Sequence, residues 1–272
     1  MAKSKNKKHH YILILFFIII ALFSLYEEFG KEKKPKAPSR TTTPVEKPKA
    51  SPSKPTVAII IDDLGPNKTT ATAVLDIKAP LVLSILPQQP YSSWIAGEGH
   101  RLGHDIMAHI PMEAEKAHGP GKGGLYTWMT DEEILDTLDA DLRTVPHAQG
   151  ISNHMGSAFT QDERAMRVLI SELKKRKLFF LDSRTSSKSV GEKSAKTLGV
   201  RALSRDVFLD DKDDLVAIEA EWKRLLQIAN EKGHAILLAH PRKNTLQFLR
   251  KKLKDNKEVA VVPVSELIAE SK

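Results

Sequence analysis

Polar and ionisable residues stand where the apolar runs of this 272-residue chain stop. The run Val57-Ala58-Ile59-Ile60-Ile61 ends in Asp62 and Asp63. A second run delivers His109, followed by Pro111, Met112 and Glu113, and a third delivers Asn153 and His154, then Gly156 and Ser157. Leu178–Leu181 ends in Asp182, Ser183 and Arg184; Arg205 and Asp206 follow another run, and His240-Pro241 follows Ala235–Ala239. Carboxylates and imidazoles in a chain without cysteine suit a borderline divalent cation, Zn²⁺ first, with Mn²⁺ and Co²⁺ as alternatives. One Asp and two His leave a coordination position open, where water can lose a proton near neutral pH or a carbonyl can be polarised. A neighbouring carboxylate could take that proton and an opposed histidine could protonate the leaving group, which is the logic of metal-assisted acyl hydrolysis. Singly, each residue has a plainer reading: Asp62 or Asp63 as a helix cap, a lone histidine as a satisfied half-buried side chain.

Gathering these residues requires an element pattern that brings strand ends together. Strand candidates are 57–61, 81–86, 105–110, 148–152, 178–181, 199–203, 235–239 and 259–262, with amphipathic helices between them. Thr130-x-x-Glu133 and Thr160-x-x-Glu163 read as capping boxes opening two helices. Asp213 or Asp214 caps a third, with Leu215, Ile218, Trp222, Leu225 and Ala229 on one face. Such β-α alternation over 56–272 predicts one α/β domain, a barrel of seven or eight strands, with an open doubly wound sheet as the alternative. In a barrel, the residues at the strand ends converge on one mouth. No GxGxxG or P-loop follows the first strand, which argues against nucleotide binding.

The net charge of +8 is not spread over the chain. Residues 1–55 contain 12 Lys/Arg and 4 Asp/Glu, whereas 56–272 hold 30 of each sign. A neutral domain lacks the electrostatic footprint of a nucleic-acid binder. The basic residues 1–10 precede an apolar segment at 11–29, read as a transmembrane anchor in preference to a cleaved signal peptide, since no A-x-A-like site follows it. Basic flanking charge keeps that end in the cytoplasm and places the domain in the periplasm or outside the cell. The Pro/Lys-rich linker at 30–55 cannot bury enough surface to fold and reads as an extended tether of up to roughly 75 Å.

The strings VAIIIDDLG, GHDIMAHIPME, GISNHMGSAFT, LFFLDSRTS, RDVFLDD and AILLAHP resemble the divergent polysaccharide deacetylase family, over nearly all of residues 56–272. The resemblance implies a distorted (β/α) barrel and metal-dependent deacetylation of a carbohydrate polymer in the cell envelope. It implies Asp62 as general base, Asp63 and His109 as metal ligands and His240 as general acid. Larger relatives carry a second histidine where this chain has Glu113. His154 is therefore expected to supply the missing imidazole, with Glu113 as an outer or alternative ligand. Asn153, Asp182, Arg184, Arg205 and Asp206 are expected to orient these groups or bind substrate. Two further functions compete: a glycosidase using two carboxylates such as Asp62 and Glu113, and a non-catalytic barrel that binds glycan or a protein partner. His100 and His104 read as ordinary surface or packing residues, and His118 lies on a Gly-rich loop that could cover the mouth or equally be a plain surface excursion. Trp128, near the Gly-rich loop, is the best candidate for stacking on a sugar.

Overall fold

The computed structural model describes residues 54–116 and 119–270. The basic N-terminus, the anchor segment, all but the last two residues of the linker, and His118 lie outside the described residues. Among the described residues no helix is long and apolar enough to cross a membrane.

The elements alternate as β1 (Thr56–Leu64), α1 (Lys68–Leu75), β2 (Val82–Ile85), α2 (Ser92–Arg101), β3 (Asp105–Met112), α3 (Asp131–Thr144), β4 (Gly150–Met155), α4 (Glu163–Arg176) and β5 (Phe179–Asp182). Then follow α5 (Gly191–Leu198), β6 (Ala202–Ser204), β7 (Val207–Phe208), α6 (Leu215–Lys232), β8 (His234–Ala239), α7 (Lys243–Lys254), β9 (Ala260–Val261) and α8 (Val264–Glu270). The strands are parallel, in the order β6-β5-β4-β3-β2-β1-β8-β7. β9 pairs with the start of β1, at Thr56 and Val57.

The two ends of this order, β6 and β7, are separated in sequence only by Arg205 and Asp206. Arg205 N–H donates to the Asp182 carbonyl on the β5 side, and Asp206 N–H to the Ile236 carbonyl on the β8 side. One extended segment therefore changes neighbours between two successive residues and brings the sheet round on itself. The result is a distorted (β/α) barrel, as expected, and not an open doubly wound sheet.

Period-two alternation sorts the strand side chains onto two faces. Val57, Ile59 and Ile61 of β1 pack in the larger apolar cluster with helix residues such as Leu138, Leu169 and Trp222. Ala58 and Ile60 pack in a second cluster with Val82, Met107, Leu181 and Ile236, which the C-terminal residues Val264, Leu267 and Ile268 join. That second face continues, two residues on, to Asp62, Ser84, His109 and, from β8, Leu238 and His240. Polar chemistry thus tops an apolar interior.

Four of the helices, α1, α3, α4 and α6, start where short polar side chains satisfy free N–H groups. Asn67 caps α1 through Thr70 N–H, and Thr130 with Glu133 forms the expected capping box at α3. The box expected at Thr160 does not form. Thr160 is fully buried and donates to the Gly156 carbonyl, and Asp162 caps α4 instead, accepting from Ala165 N–H. Asp214 caps α6, whose buried face is Ile218, Trp222, Leu225 and Ala229; Leu215, expected on that face, is largely exposed. Neither aspartate of the Asp62-Asp63 pair caps a helix, because Asn67 fills that role.

Candidate metal centre and active site

Asp63, His109 and His154 converge at the mouth, with one ligand atom of each lying within 4.8 Å of the others. Asp63 Oδ1 is 2.8 Å from His154 Nδ1 and 3.3 Å from His109 Nε2. Bonds of roughly 2.1 Å at a tetrahedral angle separate ligand atoms by about 3.4 Å, so the spacing suits a divalent ion. Asp62 Oδ1 is buried without a hydrogen-bond partner, and the buried Asp63 Oδ1 faces only the two imidazole nitrogens, a concentration of negative charge that a cation would offset. The residues present fit the group.

The backbone departs from regular strand at these positions. Asp63 (φ 59°), Met155 (φ 55°) and Arg184 (φ 50°) all take left-handed conformations, and such strain collects at functional sites. At Asp63 it interrupts the alternation, so two consecutive carboxylates serve one mouth. After His154, Met155 and Gly156 (φ 88°) turn the chain sharply.

Behind His109 runs a buried hydroxyl chain that the sequence reading missed. His109 Nδ1 lies 2.7 Å from Ser152 Oγ, which lies 2.9 Å from Ser84 Oγ. Ser84 and Ser152 are fully buried. Holding Nδ1 leaves Nε2 free to face Asp63, the usual division of labour in a ligating histidine. The available signal was a serine at an inward position of an otherwise apolar strand.

His240 enters from the other side, with Nε2 3.6 Å from Asp63 Oδ2. Its Nδ1 is 3.0 Å from Asp210 Oδ1, its own N–H donates to Asp210 Oδ2, and the Thr245 hydroxyl donates to that same oxygen. Asp210 was also missed as a partner; it stands in RDVFLDD, just beyond a strand of only two residues.

Environment separates the two adjacent aspartates. Burial raises the pKa of Asp62, against the opposing pull of His109, Ser84 and His240. Burial acts likewise on Asp63, but hydrogen bonds and charge from His109 and His154 outweigh it and hold the carboxyl well below its usual range. Desolvation pushes His240 down, and the hydrogen bond to Asp210 with the charges of Asp63, Asp210 and Asp62 reverses this, so its pKa is raised.

The remaining expected residues divide. Asn153 accepts from Ser183 N–H and donates to the Met155 carbonyl, tying β4 to the loop after β5. Asp182 braces that loop by accepting from Arg184 N–H and the Ser189 hydroxyl. Arg184 and Arg205 line the mouth itself. Glu113 is not a member of the ligand cluster: its Oε2 accepts from both the N–H and the hydroxyl of Thr127. Asp206 points elsewhere, held by Lys232 at 2.7 Å and by Ile236 N–H, so it fastens the barrel seam. Beyond Glu113, Trp128 is 69% exposed and stacks on Tyr126, with ring centroids 5.2 Å apart. The Arg164 side chain holds that loop through the Thr127 and Met129 carbonyls.

A profile of the divergent polysaccharide deacetylase family matches residues 59–268. The chain belongs to this family. An uncharacterized protein of Haemophilus influenzae is 38% identical over 173 residues, covering 64% of this chain and 62% of the relative. The Escherichia coli K12 protein YibQ is 30% identical over 189 residues, covering 69% of this chain and 59% of that one. The chain thus spans about three fifths of the length of these curated relatives. Among solved structures, an uncharacterized protein of Agrobacterium tumefaciens C58 shares the fold at a TM-score of 0.75 and 24% identity, covering 79% of this chain and 89% of that chain. For a divergent polysaccharide deacetylase, the Asp/His/His cluster is where a divalent metal could bind.

Proposed function

We propose that this protein is a metal-dependent hydrolase that removes acetyl groups from a carbohydrate polymer of the cell envelope, with Zn²⁺ as its ion. The observation that carries the reading is the opposition of His240, fixed by Asp210, to the Asp63–His109–His154 cluster, with buried Asp62 beside His109. Asp63, His109 and His154 would hold the ion, which when bound supplies Lewis acidity toward an acetyl carbonyl and acidifies water.

The other groups divide the proton work. Asp62, kept from its ordinary acidity by burial, takes the proton of the attacking water. Asp210 holds His240 Nδ1, so that Nε2 faces the site and delivers a proton to the leaving nitrogen as the C–N bond breaks. Acetic acid, which ionises to acetate, and a free amine are the products; Asp62 ends protonated and His240 neutral, and proton exchange with solvent resets both. Exposed Trp128 on its braced loop offers a further surface for a polymer.

The test is metal analysis of the purified full-length protein together with acetate release from acetylated glycans. Close to one zinc per chain is expected, lost in Asp63→Ala, with acetate released only by the metal-loaded protein. Unchanged metal content in that variant would overturn the site; a metal-loaded protein releasing no acetate would favour a non-catalytic binder.

A further inference from the structure

The cleft that contains the metal centre, about 420 Å³ in volume, extends to two arginines on its far wall, Arg184 and Arg205. Nothing in the deacetylation scheme uses them. Arg205 is clamped: its Nε donates to the Ser183 carbonyl at 2.7 Å and an Nη to the Arg184 carbonyl at 3.1 Å, and its guanidinium lies 5.1 Å from the Phe208 ring. Two of its five N–H groups are thereby occupied, by neutral acceptors. Arg184 is exposed, and its side chain makes no hydrogen bond or ion pair among the described residues. Among the described residues neither arginine has a carboxylate within ion-pair distance; Asp182, Asp211 and Asp62 act on Arg205 only through space.

The backbone holds this pair in place. Arg184 sits in the left-handed region at φ 50°, where a side chain with a Cβ is unfavourable. Its N–H is fixed by buried Asp182 and its carbonyl by Arg205, so the segment is over-determined. Two like charges pushed together are themselves unfavourable, and Arg184 repels the charge on Arg205. A clamped guanidinium and an unpaired one beside it, both lining the cleft of the Asp/His/His cluster, match carboxylate or phosphate oxygens.

Resting on the deacetylase reading, we propose that Arg184 and Arg205 form an anion subsite, and that the preferred glycan carries a negatively charged substituent next to the acetylated sugar. Met155 and Phe208 line the same cleft and would cover the apolar faces of that sugar.

Binding, not turnover, tests this. Zinc-loaded full-length protein is titrated calorimetrically with two tetrasaccharides: neutral tetra-N-acetylchitotetraose, and an alternating N-acetylglucosamine–N-acetylmuramic acid tetramer whose lactyl groups are carboxylates. Wild type is expected to bind the acidic tetramer roughly tenfold or more tightly than the neutral one, with the gap narrowing at high salt. Arg184→Asn, chosen because Asn tolerates the left-handed backbone, and Arg205→Gln should each remove most of that gap, read as the ratio of the two affinities in the same variant. Should Arg205→Gln fail to fold, Arg184→Asn decides alone. Equal affinities in wild type, or a gap surviving in both variants, would overturn the anion subsite and leave the deacetylase reading intact. Binding of neither tetramer by metal-loaded protein would overturn both.

Discussion

The two walls of the mouth are built differently. On one side β3 and β4, of eight and six residues, pair in continuous register, and His109 sits directly beside Ser152. On the other, β6 and β7 have three and two residues, and Arg205, Asp210 and Asp211 come from the seam and the loop after it. The first wall delivers side chains by strand period, and the second delivers them through hydrogen bonds that pin irregular backbone. The wall made by register fixes His109 and His154, and Asp63 reaches them from β1 at its left-handed residue. A pinned loop is suited to vary its cargo.

The division predicts that damage to one wall leaves the chemistry of the other intact. His154→Ala should reduce bound metal from about one per chain to near zero and abolish acetate release, read by elemental analysis and acetate assay. Asp210→Asn should retain the metal and lose roughly 10²–10⁴ in kcat, because His240 loses its fixed tautomer while the ligands stay in place. Metal loss in Asp210→Asn would break the division. Ser152→Ala sharpens it from behind: metal affinity should fall roughly 10–100-fold with all direct ligands present, measured by competition with a chelator.

A control lies outside both walls. Asp141 is fully buried; Gln88 Nε2 donates to its Oδ1, and its Oδ2 has no partner. Burial, opposed only by the Gln88 bond, raises its pKa from 3.8 to about 7. The folded protein therefore holds this proton more tightly than the unfolded chain, and stability falls as pH rises from about 4 through about 7 before levelling. Asp141→Asn should flatten that slope and raise Tm at pH 8 by a few degrees, about 1–2 kcal/mol. The gain stays below the full linkage value because the new amide N–H groups also need acceptors. Tm measured against pH decides it, and metal content should not change.

This difference between the walls also explains what could be read in the sequence. Asp62, Asp63, His109 and His240 lie at the ends of strongly apolar strands and His154 at the end of the weaker run Ala148–Ser152, so strand-end logic found them, and all five converge. Ser84 and Ser152 carried a subtler signal, a small polar residue on the inward period of a strand. Asp210 belongs to a strand too short to show any period. Glu113 and Asp206 also follow strands, yet Thr127 and Lys232 claim their carboxylates, and those partners come from loop and helix packing that no local pattern encodes. The same limit hid the cap of α4, where Thr160 went into the interior and Asp162 took its place.

The left-handed backbone at Asp63 acts as a second filter on what that position can become. Glutamate would keep the charge but sits poorly at positive φ, and glycine would suit the backbone but offers no ligand. Asparagine satisfies the backbone while giving up the charge. Aspartate thus answers two demands at this position, a carboxylate oxygen for the Asp/His/His cluster and tolerance of the peptide geometry, and a chain that drifted away from it would have to solve both problems in a single step.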